Sequence, residues 1–137
     1  VSGEGFVARE ICIRNTVGPK KEQAVALRVS SDRAVFYRCS IDAYQDTLYA
    51  HKYQQFYREC QITGTVNFIC GHATAVFQNC QIEARRPLIG QSNVIAPSYC
   101  LVFPSRLLLS FTDSEGKIVV PSSTPKLKMV VDKDVPA

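Results

Sequence analysis

No uninterrupted apolar run in this 137-residue chain approaches the ~20 residues that a membrane-spanning helix needs, and LLLSF at 107–111 is far too short. No basic-then-apolar segment of the secretion-signal type is seen either. The six cysteines (12, 39, 60, 70, 80, 100) include no CxxC pair, and His51 and His72 complete no ligand spacing, which argues against a zinc site. The net charge of +4 mildly favours an anionic partner. Its basic residues are nevertheless scattered, paired only at 20–21 and 85–86, so no nucleic-acid-binding stripe with interleaved aromatics is present. A content of 46% apolar and 20% charged residues excludes a disordered chain, and the length allows one domain at most.

What the sequence does have is a repeat. AVFYRCSI (34–41), QFYRECQI (55–62) and AVFQNCQI (75–82) align so that Cys39, Cys60 and Cys80 share a column, 21 and then 20 residues apart. Ile41, Ile62 and Ile82 form a second column, Phe36, Tyr57 and Phe77 a third, and Val35, Phe56 and Val76 a fourth. VAREICI (7–13) fits as an earlier copy after a 28-residue step, with Ile11 under the cysteines and Ile13 under the isoleucines. Between these segments, Leu27, Leu48 and Ile69 recur at steps of 21 and 21. Self-similarity at such a period is the signature of a solenoid.

The repeated segments are short, rich in Val, Ile, Phe and Tyr, and lack a sustained 3.6-residue pattern, so they read as strands. Two helices of ten or more residues do not fit a 21-residue unit, whereas two or three short strands with tight bends do. The expected fold is all-β: a right-handed parallel β-helix, a partial solenoid of about four coils, with like residues stacked at about 4.8 Å. The longer first step leaves room for an outward loop at NTVGPKKEQ (15–23). Cysteine is a small apolar residue that suits an inward column. Free buried thiols are the preferred reading, with one bridge between stacked cysteines left open.

A 21-residue coil stacks Asp46 on Asn67 and sets Gln23 one coil before Tyr44 and Gln45. Two carboxamide donors, a carboxylate and a further carboxamide then converge on one face. Amide donors can stabilise an oxyanion, and a carboxylate can act as general acid or base. Residue types alone favour a plainer alternative, a polar ladder that only satisfies strand edges and turns.

The segments SGEGFVAREICIRNT, QAVALRVSSDRAVFYRCSIDAYQDTLYAH, QFYRECQITGTVNFICG and AVFQNCQIEARRP resemble the central coils of plant pectin methylesterases (pectinesterases), from about Ser2 to about Ala96. That resemblance implies a right-handed parallel β-helix that hydrolyses methyl esters of polygalacturonate without metal or organic cofactor. It implies that Asp46, in YQDTLY, is the general acid and base, and that Gln45 and Gln23 form the oxyanion hole. The family's GTVDF aspartate, its nucleophile, corresponds to Asn67. An amide has no anionic oxygen and forms an acyl-enzyme poorly. Further departures are Cys70 where the family usually carries Phe and His72 where Asn is usual. The family's LGRPW segment, with an Arg that positions the nucleophile and a Trp that lines the sugar cleft, does not occur in this sequence, which has no tryptophan.

The expectation is therefore a pectinesterase-family carboxylic ester hydrolase of the aspartyl esterase type, acting in cell wall modification and impaired by Asn67 and by the lack of the LGRPW Arg. The alternative is a non-catalytic pectin-binding relative or an inactive truncated fragment. Tyr44 and Phe68, with Tyr49, are candidate sugar contacts. Pectin is the expected partner, with a proteinaceous inhibitor implied by the family and neither nucleic acid nor membrane expected. The resemblance also implies secretion to the plant cell wall. Residues 1–96 are expected to form the coils, and 97–137 a divergent tail of short strands or irregular structure that does not continue the ladder.

Overall fold

The structure, a computed structural model, describes residues 1–91 and 93, together with the backbone of 101–102 and 108–111. Thirteen short strands run through them. They are β1 (Val7–Arg9), β2 (Cys12–Arg14), β3 (Leu27–Val29), β4 (Ala34–Tyr37), β5 (Ser40–Asp42), β6 (Leu48–Ala50), β7 (Gln54–Arg58), β8 (Gln61–Gly64), β9 (Ile69–Cys70), β10 (Thr74–Gln78), β11 (Gln81–Ala84), β12 (Leu101–Val102) and β13 (Leu108–Phe111). A single 3₁₀ turn, Pro19–Lys21, lies in the predicted outward loop. Among the described residues no helix is long and apolar enough to cross a membrane.

The first three coils contribute one strand to each of three sheets, and later strands extend two of them, in the orders β1-β4-β7-β10-β12, β2-β5-β8-β11-β13 and β3-β6-β9. All the pairings are parallel, and the registers reproduce the sequence columns. Phe36 pairs with Tyr57 and Tyr57 with Phe77. Ile13, Ile41, Ile62 and Ile82 stack in one row, as do Leu27, Leu48 and Ile69. This is the parallel β-helix expected from the repeat.

Alternation along each strand turns one row inward. Phe36, Tyr57 and Phe77 are fully buried, with rings stacked at 5.0 and 4.8 Å and 8° between planes. Each such side chain contributes about 1.5–3 kcal/mol by burial, and the aromatic pairs add about 0.5–1.5 kcal/mol. Tyr57 departs from the Phe of its column, and its hydroxyl needs a partner. Gln55, standing where adjacent coils carry Ala34 and Ala75, supplies it. The Tyr57 hydroxyl donates to Gln55 Oε1 at 2.7 Å, while Gln55 Nε2 donates to the carbonyls of Val29 and Lys52.

Cys39, Cys60 and Cys80 are buried free thiols, each donating to a backbone carbonyl at 3.3–3.5 Å, and none of the five described cysteines is bridged. No metal-binding cluster occurs among the described residues. The corner before the cysteine column is left-handed on four successive coils, at Glu10, Arg38, Glu59 and Asn79, with φ of 52–54°. The cost of that backbone is offset in part by charge pairing along the corner, where Arg38 meets Glu59 at 2.8 Å and Glu10 at 3.7 Å.

The like-residue ladder ends with β11, yet the sheets gain strands beyond it. β12 lies beside Ala75–Val76 and β13 beside Gln81–Ala84, both in parallel. Within 97–137, these two backbone segments are short strands added to the sheets. The other expectations for 97–137 lie outside the described residues.

Candidate functional site

The polar cluster is carried by the two connections that enter the third sheet, residues 43–47 before β6 and 65–68 before β9. Asp46 and Asn67 occupy equivalent corners on consecutive coils, both left-handed, with φ of 54° and 48°. A short polar side chain tolerates this conformation better than most. Backbone hydrogen bonds lock the two corners together: Asp46 N–H donates to Val66 O at 3.1 Å, and Leu48 N–H to Phe68 O at 2.8 Å. Beneath them, the buried Thr47 hydroxyl donates to Thr63 O at 3.0 Å. One coil earlier, Gln23 forms a parallel bridge with Gln45, and Ala24 N–H donates to Gln45 O. The predicted convergence of Gln23, Gln45, Asp46 and Asn67 is therefore present at backbone level.

Their environments differ. Gln45 is 8% exposed, Gln23 is exposed, and Asp46 and Asn67 are half-buried. None of the four side chains hydrogen-bonds another described residue. Burial pushes the Asp46 carboxyl above the ordinary aspartate range. Cys70, on the outer face of β9, has its thiol raised to about 11, first by burial and then by the charge of Asp46. The thiol is thus a neutral neighbour of the carboxyl and a poor nucleophile at neutral pH. Gly71 follows with φ 118°, where a Cβ would run into the carbonyl of Ala50.

Tyr44 is half-buried, with the Arg85 guanidinium 5.1 Å above its ring. Arg85 in turn pairs with Asp42, which also meets Arg14 at 2.9 Å. Tyr44 thus sits at the rim of the cluster. Phe68 does not. It is fully buried in the hydrophobic core, so its side chain has no surface to offer a sugar, and the expected contact there is corrected. Sequence reasoning overlooked a further outward group on the third sheet, Arg28, Ser30 and His51, whose signal was the same 21-residue spacing, from Arg28 to Tyr49, from Ser30 to His51 and from His51 to His72.

A family model described as Pectinesterase matches residues 1–98. The chain belongs to the pectinesterase family. Probable pectinesterase 56 of Arabidopsis thaliana is 65% identical over 95 residues, covering 69% of this chain and 33% of that relative. A solved pectin methylesterase from carrot superposes with a TM-score of 0.76 at 45% identity, over 81% of this chain and 38% of that one. A pectin methylesterase solved in complex with a hexasaccharide superposes with a TM-score of 0.70 at 31% identity, over 82% and 41%. The pectinesterase coils seen here span about a third of the length of that Arabidopsis relative.

Proposed function

We propose that these coils carry the reaction centre of a carboxylic ester hydrolase acting on methyl-esterified polygalacturonate, with its nucleophile position altered. The observation that carries this reading is the stacking of Asp46 on Asn67 at matching left-handed corners, beside the Gln23–Gln45 bridge. In the unaltered reaction, a carboxylate at position 67 attacks the ester carbonyl. Amide N–H groups of Gln45 and Gln23 hold the oxyanion, and the Asp46 carboxyl gives its proton to the departing methoxide, releasing methanol. Asp46 then takes a proton from water as it hydrolyses the acyl-enzyme. A carboxyl whose pKa is raised by burial suits the first step, because a larger share is protonated near neutral pH.

Asn67 keeps the size and hydrogen-bonding capacity of that aspartate but supplies no anionic oxygen. The chain accordingly binds the polysaccharide and releases methanol slowly, on the scale of losing a covalent nucleophile, several orders of magnitude in rate. The second reading, a pectin-binding relative without catalysis, is favoured by the same residue. In either reading pectin is the partner, a proteinaceous inhibitor is a further one, and the plant cell wall is the place of action.

Methanol release from highly methyl-esterified pectin, measured for the native chain and for Asn67→Asp, tests the proposal. The expected result is release by the Asp variant well above that of the native chain. No release from either, with the β-rich fold verified by circular dichroism, overturns the hydrolase reading for these coils.

A further inference from the structure

Two corners of this solenoid set a carboxyl side chain beside an asparagine one coil later. At the first, Asp46 and Asn67 share the left-handed conformation, with φ of 54° and 48°. At the second, Glu59 and Asn79 share it too, both with φ of 52°. The backbone links match as well: Asp46 N–H donates to Val66 O at 3.1 Å, and Glu59 N–H donates to Gln78 O at 2.9 Å. Equal conformation at hydrogen-bonded neighbouring positions sends the two side chains of each pair out side by side. The same acid–amide pair thus occurs twice, in two electrostatic settings.

Glu59 is spent on cations. Its carboxylate accepts from Arg38 Nε at 2.8 Å and lies 3.6 Å from Arg58, and the Arg38 hydrogen bond holds it below the usual glutamate range. A carboxylate so held is a weak base. Asp46 has no cation within 4.0 Å among the described residues, and burial holds its carboxyl above the ordinary aspartate range. It is the stronger base of the two when ionised. Asp46 and Asn67 are both half-buried, which leaves water access to the pair.

Ordinary asparagine breakdown takes another route, in which the backbone nitrogen of the next residue attacks the side-chain carbonyl and closes a succinimide. For Asn67 that nitrogen belongs to Phe68, which is fully buried in the core and whose carbonyl accepts from Leu48 N–H at 2.8 Å. Ring closure there would have to move a residue fixed in the stack. Attack by water is the open route.

We infer that the Asp46 carboxyl hydrolyses the side-chain amide of Asn67, so that the folded chain converts itself to one with an aspartate at position 67. Asp46, ionised, takes a proton from a water molecule as the water oxygen bonds to Asn67 Cγ. That proton then passes to Nδ2, the Cγ–Nδ2 bond breaks, and ammonia leaves. One amide and one water give one carboxylic acid and one ammonia, which exchange a proton to become carboxylate and ammonium, and Asp46 is regenerated. The nucleophile that the encoded residue withholds is then made after folding. The gain in ester hydrolysis that follows rests on the hydrolase reading, whereas the conversion itself does not.

Trypsin releases residues 59–85 as one peptide that carries both Asn67 and Asn79, so each sample contains its own comparison. The native chain and Asp46→Asn, with the β-rich fold checked by circular dichroism, are incubated at neutral pH. Tandem mass spectrometry of that peptide and methanol release from pectin are followed together. The expected result is that Asn67 gains the mass of an acid, as a single aspartyl product, while Asn79 stays an amide. Asp46→Asn should slow that conversion by about 10²–10⁴-fold, the usual contribution of a positioned acid–base group. The inference is overturned if Asn67 converts no faster than Asn79, converts as fast in Asp46→Asn, or yields isoaspartate beside aspartate. The first of these comparisons needs no variant. Methanol release should rise with the converted fraction. Conversion without that rise leaves the inference standing and overturns the hydrolase reading alone.

Discussion

Gln45 and Gln23 are bridged neighbours on adjacent coils, yet one is almost enclosed and the other lies in the open: Gln45 is 8% exposed, and Gln23 is exposed. A hydrogen bond to a developing oxyanion gains strength where water is excluded. The two amides should therefore contribute unequally to any hydrolysis the site performs.

Once Asn67→Asp supplies a nucleophile, adding Gln45→Ala should lower kcat by about 10²–10³-fold, the range for an oxyanion donor in an enclosed site. Adding Gln23→Ala should cost clearly less. Steady-state methanol release from pectin by the two double variants measures this. Equal losses would mean that exposure in these coils does not report the polarity of the working site.

Asp46 should be costly to the fold. Its carboxyl pKa lies above the ordinary aspartate value because of burial, so in the intervening pH range the folded chain binds more protons than the unfolded one. Stability then falls as pH rises through that range, and the penalty is fully present above the folded pKa. Asp46→Asn should raise the melting temperature at pH 7, and the gain should shrink toward pH 3. Thermal unfolding at both pH values reads this out. A variant equally stabilised at both would show that the carboxyl's charge is not the cause.

The columns of the core could be read in the sequence because a parallel stack places like residue on like residue. Phe36, Tyr57 and Phe77 were aligned by period alone, and the registers agree. Asp46 and Asn67 were legible for the same reason. Phe68 was not, because the left-handed corner breaks the two-residue alternation by which inward and outward positions are counted. Thr47 and Leu48 are both fully buried in succession, and so are Phe68 and Ile69. Parity cannot be carried across such a corner. The link between Arg28 and His51 was hidden differently, since it depends on side-chain reach between neighbouring coils and not on a repeated residue type.

Gly71 should tolerate no side chain. Its φ of 118° lies where L residues are strained, and the space a Cβ would occupy is taken by the Ala50 carbonyl. Gly71→Ala must move either β9 or the end of β6, and should destabilise the fold by about 2–4 kcal/mol. Gly90→Ala is a suitable control, because that glycine also has positive φ but open space around it. Chemical denaturation of both variants should show a much larger loss for Gly71. Comparable losses would assign the effect to φ alone and not to the packing of the third sheet.

Tyr57 and Gln55 are joint exceptions between two adjacent coils that carry Phe and Ala at those positions, and each satisfies the other inside the coil. Tyr57→Phe leaves Gln55 Oε1 without its donor, at a cost of about 1–2 kcal/mol. Gln55→Ala removes three hydrogen bonds and strands the Tyr57 hydroxyl, and should cost about 2–4 kcal/mol. The double variant restores the Phe and Ala columns of the adjacent coils and leaves no stranded Tyr57 hydroxyl. Its loss should therefore fall short of the sum of the single losses by about 1 kcal/mol or more, the coupling expected of directly bonded partners. Urea unfolding of the four proteins in the cycle measures that difference. Strict additivity would mean that each residue is held by its column alone, and that the hydrogen bond between them contributes nothing to the stack.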